Sequence, residues 1–192
     1  MKMFACALAA VAACLTAVQA RAFDPISSVI GKGVATAMDA RSKDEVKTDI
    51  EIDAAVTKKL AEQKGDDFSD ISFLIFARHG VLVGFARSEE VKRKAGELAK
   101  GHKLLRSLKN DIVIGGASGS FGGNALLDKK IDLKLTATRG VSSVNMRWKV
   151  YGGDVFLTGV AQSKAEANLA LKAVKSLEGV KTLHSSLRIG KT

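Results

Sequence analysis

The chain is poor in the residues on which most active sites depend. Its 192 residues include two cysteines, Cys6 and Cys14, both close to the start. Everything after them therefore offers no disulfide, no thiol nucleophile and no cysteine metal site. His79, His102 and His184 share no spacing suited to a metal ion. Aromatic residues make up 5% of the chain, too few for the stacking platforms that bind single-stranded nucleic acid. Long hydrophobic runs are also missing. The longest uncharged apolar stretch, Met3 to Val18, is about 16 residues, short of the ~20 that a bilayer requires.

That stretch follows Lys2 and leads into the small-residue patterns Val18-Gln19-Ala20 and Ala20-Arg21-Ala22. This is the layout of a secretory signal, so residues 1–22 read as a signal peptide. Val11-Ala12-Ala13-Cys14 has the form of a lipobox, which makes Cys14 a candidate lipidation site. Cleavage and acylation at Cys14, and plain cleavage near Ala20, both stay open. The difference is physical, because an acyl chain adds about 0.8 kcal/mol of membrane affinity per buried CH₂.

Acidic residues are in the minority, with 30 Lys and Arg against 20 Asp and Glu. Without Lys2 and Arg21, 28 basic residues face the same 20 acidic ones, a net charge of +8. Such a surface attracts polyanions. An exported chain has little access to nucleic acid, which leaves anionic lipid head groups and acidic glycans.

What the sequence does contain is a duplication at an offset of 75 residues. Gly84-Phe85-Ala86-Arg87-Ser88 matches Gly159-Val160-Ala161-Gln162-Ser163, and in the same register Asp53, Lys59, Leu60 and Gly65 fall on Asp128, Lys134, Leu135 and Gly140. Leu82, Ala95, Lys100 and Leu108 fall on Leu157, Ala170, Lys175 and Leu183, and both copies end on Ile-Gly, at 114–115 and 189–190. A gapless register of this length marks a repeated structural unit.

Each copy reads as helix, strand, strand, helix, strand. In the first, Ile52, Val56 and Leu60 form one stripe of a helix from about Thr48 to Gln63, closed by Gly65. Ile71, Phe73, Ile75 and Ala77 follow a strand pattern, and His79-Gly80 is expected to turn the chain into Val81-Leu82-Val83. Ser88 is a good N-cap for a helix carrying Val91, Ala95 and Leu98, with a last strand over about Lys109 to Ile114. In the second copy the stripe is Leu127, Ile131 and Leu135, followed by a strand with Met146, Trp148 and Val150. A turn at Gly152-Gly153-Asp154 comes next, then a helix capped by Ser163 and a strand from Thr182 to Ile189. The expected fold class is α+β: two tandem αββαβ domains, each a three-stranded mixed sheet covered by two helices. Residues 23–47 read as an N-terminal tether, 48–115 as the first domain, 116–123 as a Gly/Ser linker and 124–190 as the second. A unit of this size buries only ~60% of its unfolded surface, so the two copies are expected to pack together.

Catalytic chemistry is not expected, and neither is a cofactor. The glycine-rich stretch 115–123 lacks the Lys-Ser/Thr of a phosphate-binding loop. Ser118 is not on a strand-to-helix elbow. Asp128 and Asp132 are better explained by salt bridges to Lys or Arg than by acid–base work. The basic helix from Arg87 to Arg106 reads as a solvated face, with an auxiliary polyanion patch as the second reading.

The element order, the run Gly153-Asp154-Val155-Phe156-Leu157-Thr158-Gly159-Val160-Ala161, and the closing Gly179-Val180-Lys181-Thr182-Leu183 with Leu187-Arg188-Ile189 resemble the BON domain. The whole arrangement, with Asp39-Ala40-Arg41-Ser42 just ahead of the first helix, resembles the dual BON-domain envelope proteins. That resemblance implies a non-catalytic protein of the periplasm or outer membrane. It further implies contact between anionic phospholipid and the first helix of the second domain. Two departures qualify the likeness: there is no lipid-attachment Cys beside the linker, and Leu126 stands where the lipid-binding helix carries an aromatic residue.

Comparison of the two copies points to the same helix. Opposite its core stripe, the first copy has Glu51, Ala55, Lys58 and Glu62, whereas the second has Leu126, Lys130, Leu133 and Ala137. Leu126, Lys129, Lys130, Leu133 and Lys134 are therefore the candidate lipid-binding residues, an apolar strip edged by lysine. The competing fate for the two leucines is packing against the other copy or the linker. The expected partner is an anionic phospholipid surface, at the outer membrane or free in the periplasm. The alternative is a soluble, chaperone-like stress protein that binds other proteins, or a module recognising peptidoglycan or an outer-membrane complex.

Overall fold

A computed structural model describes residues 39–63, 66–116 and 124–190. The signal peptide, Cys14, most of the tether, Gly65 and residues 117–123 of the linker lie outside these. The first copy comprises helix α1 (Lys43–Ala61), strands β1 (Ile71–Phe76) and β2 (His79–Ala86), helix α2 (Glu89–Lys100), and the short strands β3 (Ser107–Asn110) and β4 (Val113–Ile114). The second comprises α3 (Asn124–Ala137), β5 (Met146–Tyr151), β6 (Asp154–Ala161), α4 (Lys164–Lys175) and β7 (Thr182–Ile189). In each, two antiparallel strands are extended by a parallel third across a helical crossover, the mixed sheet expected. In the first copy that third strand is broken at Asp111-Ile112, where Ile112 drops into the core, whereas β7 runs unbroken beside β6.

The helical stripes bury as their spacing requires. Ile52, Val56 and Leu60 meet Phe73, Leu82 and Ala95 in one core, and Leu127, Ile131 and Leu135 meet Met146, Val155 and Ala170 in the other. Ser88 and Ser163 cap α2 and α4, accepting hydrogen bonds from Val91 N and Glu166 N. Gly84 and Gly159, the repeated glycine, have φ of 109° and 121°. A Cβ at either would collide with the carbonyl oxygen of Asp70 or Asn145, so only glycine closes the start of the hairpin.

Two boundaries differ from expectation. α1 starts at Lys43 rather than near Thr48, so the folded body begins well before residue 47. Ser42 and Glu45 form a capping box that extends the helix beyond its apolar stripe. The first hairpin turns at Ala77-Arg78, not at His79-Gly80, and both turn residues have positive φ (52° and 63°). Asp49 on α1 accepts hydrogen bonds from the turn amides Ala77 N (2.8 Å) and Arg78 N (2.7 Å). The second copy repeats the device: Asn124 Oδ1 accepts from Gly152 N at 2.8 Å, at a Gly152-Gly153 turn. A tertiary contact thus holds the Ala-Arg pair in a conformation that glycine adopts freely.

The faces of the two sheets away from their helices pack on each other. Val81, Val83 and Phe85 meet Tyr151 and Phe156, with ring pairs edge-on at 5.7–6.0 Å. At the other end of the seam, Phe76 and Ala77 meet Val160. Shifting by 75 residues and exchanging copies turns the Phe85–Tyr151 contact into Val160–Phe76, so the halves meet through an approximate two-fold axis. This is why β2 and β6 are apolar on both faces.

Candidate functional site

Helix α3 presents the predicted surface. Leu126 is 64% exposed and Leu133 70%, the most exposed of the large apolar side chains among the described residues. They stand seven positions apart, two turns of helix, and so point the same way, while Leu127, Ile131 and Leu135 face the core. Lys129 and Lys134 are exposed and Lys130 half-buried between the leucines. None of the three lysines forms an ion pair with a described residue. Asp128 accepts a hydrogen bond from the Trp148 indole at 2.8 Å. No helix among the described residues is long and apolar enough to cross a membrane.

The basic helix α2 is partly self-neutralised. Arg93 pairs with Glu97, Arg87 with Asp67 at 3.6 Å, and Lys94 lies 5.7 Å from the centre of the Phe68 ring. That arrangement favours the solvated-face reading. The histidines are scattered: His79 meets Ser107, His102 accepts from Leu104 N, and His184 stacks on Phe156 at 4.4 Å. Among the described residues, no three or more His, Cys, Asp or Glu converge as a metal site would need.

A further group of perturbed ionisable side chains surrounds a strap the periodicity did not reveal as structural. Ala40 N donates to Asn145 Oδ1 of the second copy at 2.9 Å. Arg41 bonds Asp39 at 2.7 Å and Asp49 at 2.8 Å, and its guanidinium lies 4.4 Å from the centre of the Phe76 ring. Arg147 approaches the same ring at 5.3 Å and donates to the carbonyls of Val144 and Met146. Burial pushes the Arg41 pKa down, but hydrogen bonds to both carboxylates outweigh it and raise it. For Asp39, burial pushes upward and the bonds and charge of Arg41 prevail, holding it below the usual carboxylate range. Arg147, buried with no carboxylate among the described residues bonded to it and repelled by Arg41, drops to about 10. Asp53, raised to about 6 by burial and by Asp49, occupies the place of Asp128 but has Phe73 where Asp128 has the Trp148 donor. The Arg41 cluster fastens the segment before α1 across both sheets.

Two αββαβ units of this topology define the class: the chain belongs to the BON-domain family, whose model matches residues 48–116 and 124–191. It is similar to the osmotically-inducible protein Y of Escherichia coli (strain K12), 26% identical over 144 residues that cover 71% of this chain and 72% of that protein. It is also similar to an uncharacterised protein in the gshII 5′ region of Anaplasma centrale, 27% identical over 142 residues, 71% of this chain and 94% of the other. Among solved structures, two of CdsD, a structural protein of the type III secretion system of Chlamydia trachomatis, align at 14% and 16% identity. Their TM-scores are 0.30 and 0.31, covering 73% and 71% of this chain and 65% and 62% of theirs, too distant to carry any functional argument.

Proposed function

We propose that this chain is a non-catalytic protein of the cell envelope that docks on anionic phospholipid through the outer face of α3. The observation that carries the reading is the exposure of Leu126 and Leu133 within a rim of Lys129, Lys130 and Lys134. Insertion of each leucine is worth roughly 1.5–3 kcal/mol and each lysine near an anionic surface about 1 kcal/mol. The corresponding face of α1, with Glu51, Lys58 and Glu62 exposed, has neither property. The likeness to an osmotically-inducible protein supports a role under envelope stress. Acylation at Cys14 would supply the second signal that firm anchoring requires, and intact-mass measurement of the processed protein distinguishes it from cleavage near Ala20.

The test is flotation with phosphatidylglycerol-containing vesicles across a salt series. Binding should weaken as ionic strength rises and be lost in the variant Leu126→Asp, Leu133→Asp, whose circular dichroism stays that of the parent. Undiminished binding by that variant discards the docking face. Absence of any vesicle binding discards the lipid reading in favour of a protein-binding stress role.

A further inference from the structure

The approximate two-fold axis gives the molecule two equivalent ends, and their charges differ. At one end stand Arg78, His79 and Arg106, joined by Arg188 of the second copy. The positions 75 residues on, with copies exchanged, hold Gly153, Asp154, Lys181 and Val113. One end thus gathers four basic side chains, while the other balances one lysine against one aspartate. Since both ends build the same fold, folding alone does not require the difference.

The four basic residues are brought together by register. His79 pairs with Ser107 across β2 and β3, and its Nδ1 lies 2.6 Å from Ser107 Oγ. Arg106 N donates to Arg78 O at 2.8 Å, and its guanidinium reaches Ala77 O. Arg188 is the partner of Val160 in the parallel ladder, so both side chains leave the same face of the sheet, and Val160 packs on Phe76 and Ala77. Burial, then the charges of Arg188 and Arg106, depress the His79 pKa, and burial, then Arg106, depress that of Arg188, which places these groups near one another. The nearby carboxylates are committed. Glu45 holds Arg106 at 3.1 Å, and Asp49 is bonded by Arg41 and the two turn amides. Among the described residues Arg78 and Arg188 form no ion pair, and Arg78 Nε is buried without a hydrogen-bond partner. Arg78 also has φ of 63° where the second copy has a glycine, an arrangement that costs about 1–2 kcal/mol of backbone energy. A strained arginine with an unsatisfied donor, in a group of like charges, is unfavourable for the empty protein and useful for holding an anion.

We propose that Arg78, His79, Arg106 and Arg188, with the Ser107 hydroxyl, form a binding site for a phosphate-type anion at one end of the seam between the two domains. The site is independent of α3 and of the membrane reading. Its ligand is a tetrahedral phosphoryl group, either free or as the head group of a phosphomonoester lipid. Planar guanidinium donors and a hydroxyl suit its oxygens.

The experiment is titration of the full chain with inorganic phosphate, followed by amide chemical shifts and calorimetry. Saturable shifts should centre on Arg78, His79 and Ser107. In the variant Arg78→Gly, Arg188→Gln affinity should fall by at least about tenfold, the loss of two charge-assisted hydrogen bonds. Its melting temperature should hold or rise, because glycine relieves the turn; a purely structural arginine would give the opposite. Lys181→Gln, at the equivalent end, should leave affinity unchanged. A second arm adds phosphatidic-acid vesicles to the Leu126→Asp, Leu133→Asp protein: displacement of bound phosphate assigns the site to a lipid head group, and undisturbed phosphate assigns it to a soluble ligand. Non-saturating shifts, or an affinity indifferent to the Arg78 and Arg188 changes, overturn the proposal.

Discussion

Replacement of Arg41 by alanine should be among the most damaging changes available outside the two hydrophobic cores. The guanidinium bonds Asp39 at 2.7 Å and Asp49 at 2.8 Å, with side chains only 5% and 3% exposed for Arg41 and Asp49. Its removal leaves the Asp49 carboxylate buried with only the amides of Ala77 and Arg78 as donors. Losing one partner of a buried ion pair costs about 3–5 kcal/mol, most of it the uncompensated charge that remains. For a folded body of this size that is a drop of roughly 6–20 °C in melting temperature. The second copy suggests the rescue, since Asn124 caps the equivalent turn without any charge. Arg41→Ala with Asp49→Asn should therefore recover about 2 kcal/mol of the loss, a coupling that urea denaturation of the two single variants and the double variant would measure. A loss below about 1 kcal/mol for Arg41→Ala, or strict additivity in the cycle, would refute the claim that the strap fastens the domains through a buried charge.

Two further predictions concern stability. Asp53, held at about 6 against 3.8, stays protonated in the folded protein over a window where the unfolded chain has ionised, so its burial lowers stability as pH rises from about 4 to 6. Asp53→Asn should raise stability by about 1–2 kcal/mol at pH 7.5 and by nothing near pH 3, as read from urea midpoints at both values. Gly159→Ala should cost more than about 3 kcal/mol, since its Cβ meets the Asn145 carbonyl at a backbone angle alanine resists. Thermal melts of the purified variant check this.

Residues whose partners lie nearby in sequence were legible, and those whose partners lie far away were not. The stripes of α1 and α3, the N-caps Ser88 and Ser163, and the span of β7 follow from spacing alone. The early start of α1 was written in Ser42 and Glu45 but lay beyond the apolar stripe. The turn at Ala77-Arg78 carries no local signal, because Asp49 imposes it from 28 residues away. The face-to-face packing of the sheets had a trace in β2 and β6, whose apolar residues run rather than alternate, as in strands buried on both faces. The roles of Arg41, Asp39 and Arg147 had none, since a single arginine ahead of a helix is indistinguishable from a solvated one until its carboxylates are in place.

The outer face of α3 stands out through the contrast between the two copies. The core positions are shared, so departures such as Leu126 for Glu51 and Leu133 for Lys58 stand out as unnecessary for folding. The same comparison isolates Arg78, where the fold accepts glycine.

The most direct measurement places a reporter on that surface. With Trp148→Phe removing the native indole, copying Phe73 of the first domain, Leu126→Trp puts the only tryptophan on the outer face of α3. On mixing with anionic vesicles, its emission should shift to the blue and be quenched by lipids brominated near the top of the acyl chains, consistent with burial about 5–10 Å into the interface. An unshifted, unquenched tryptophan on protein that nevertheless floats with the vesicles would show that another surface binds, and the docking face would be abandoned.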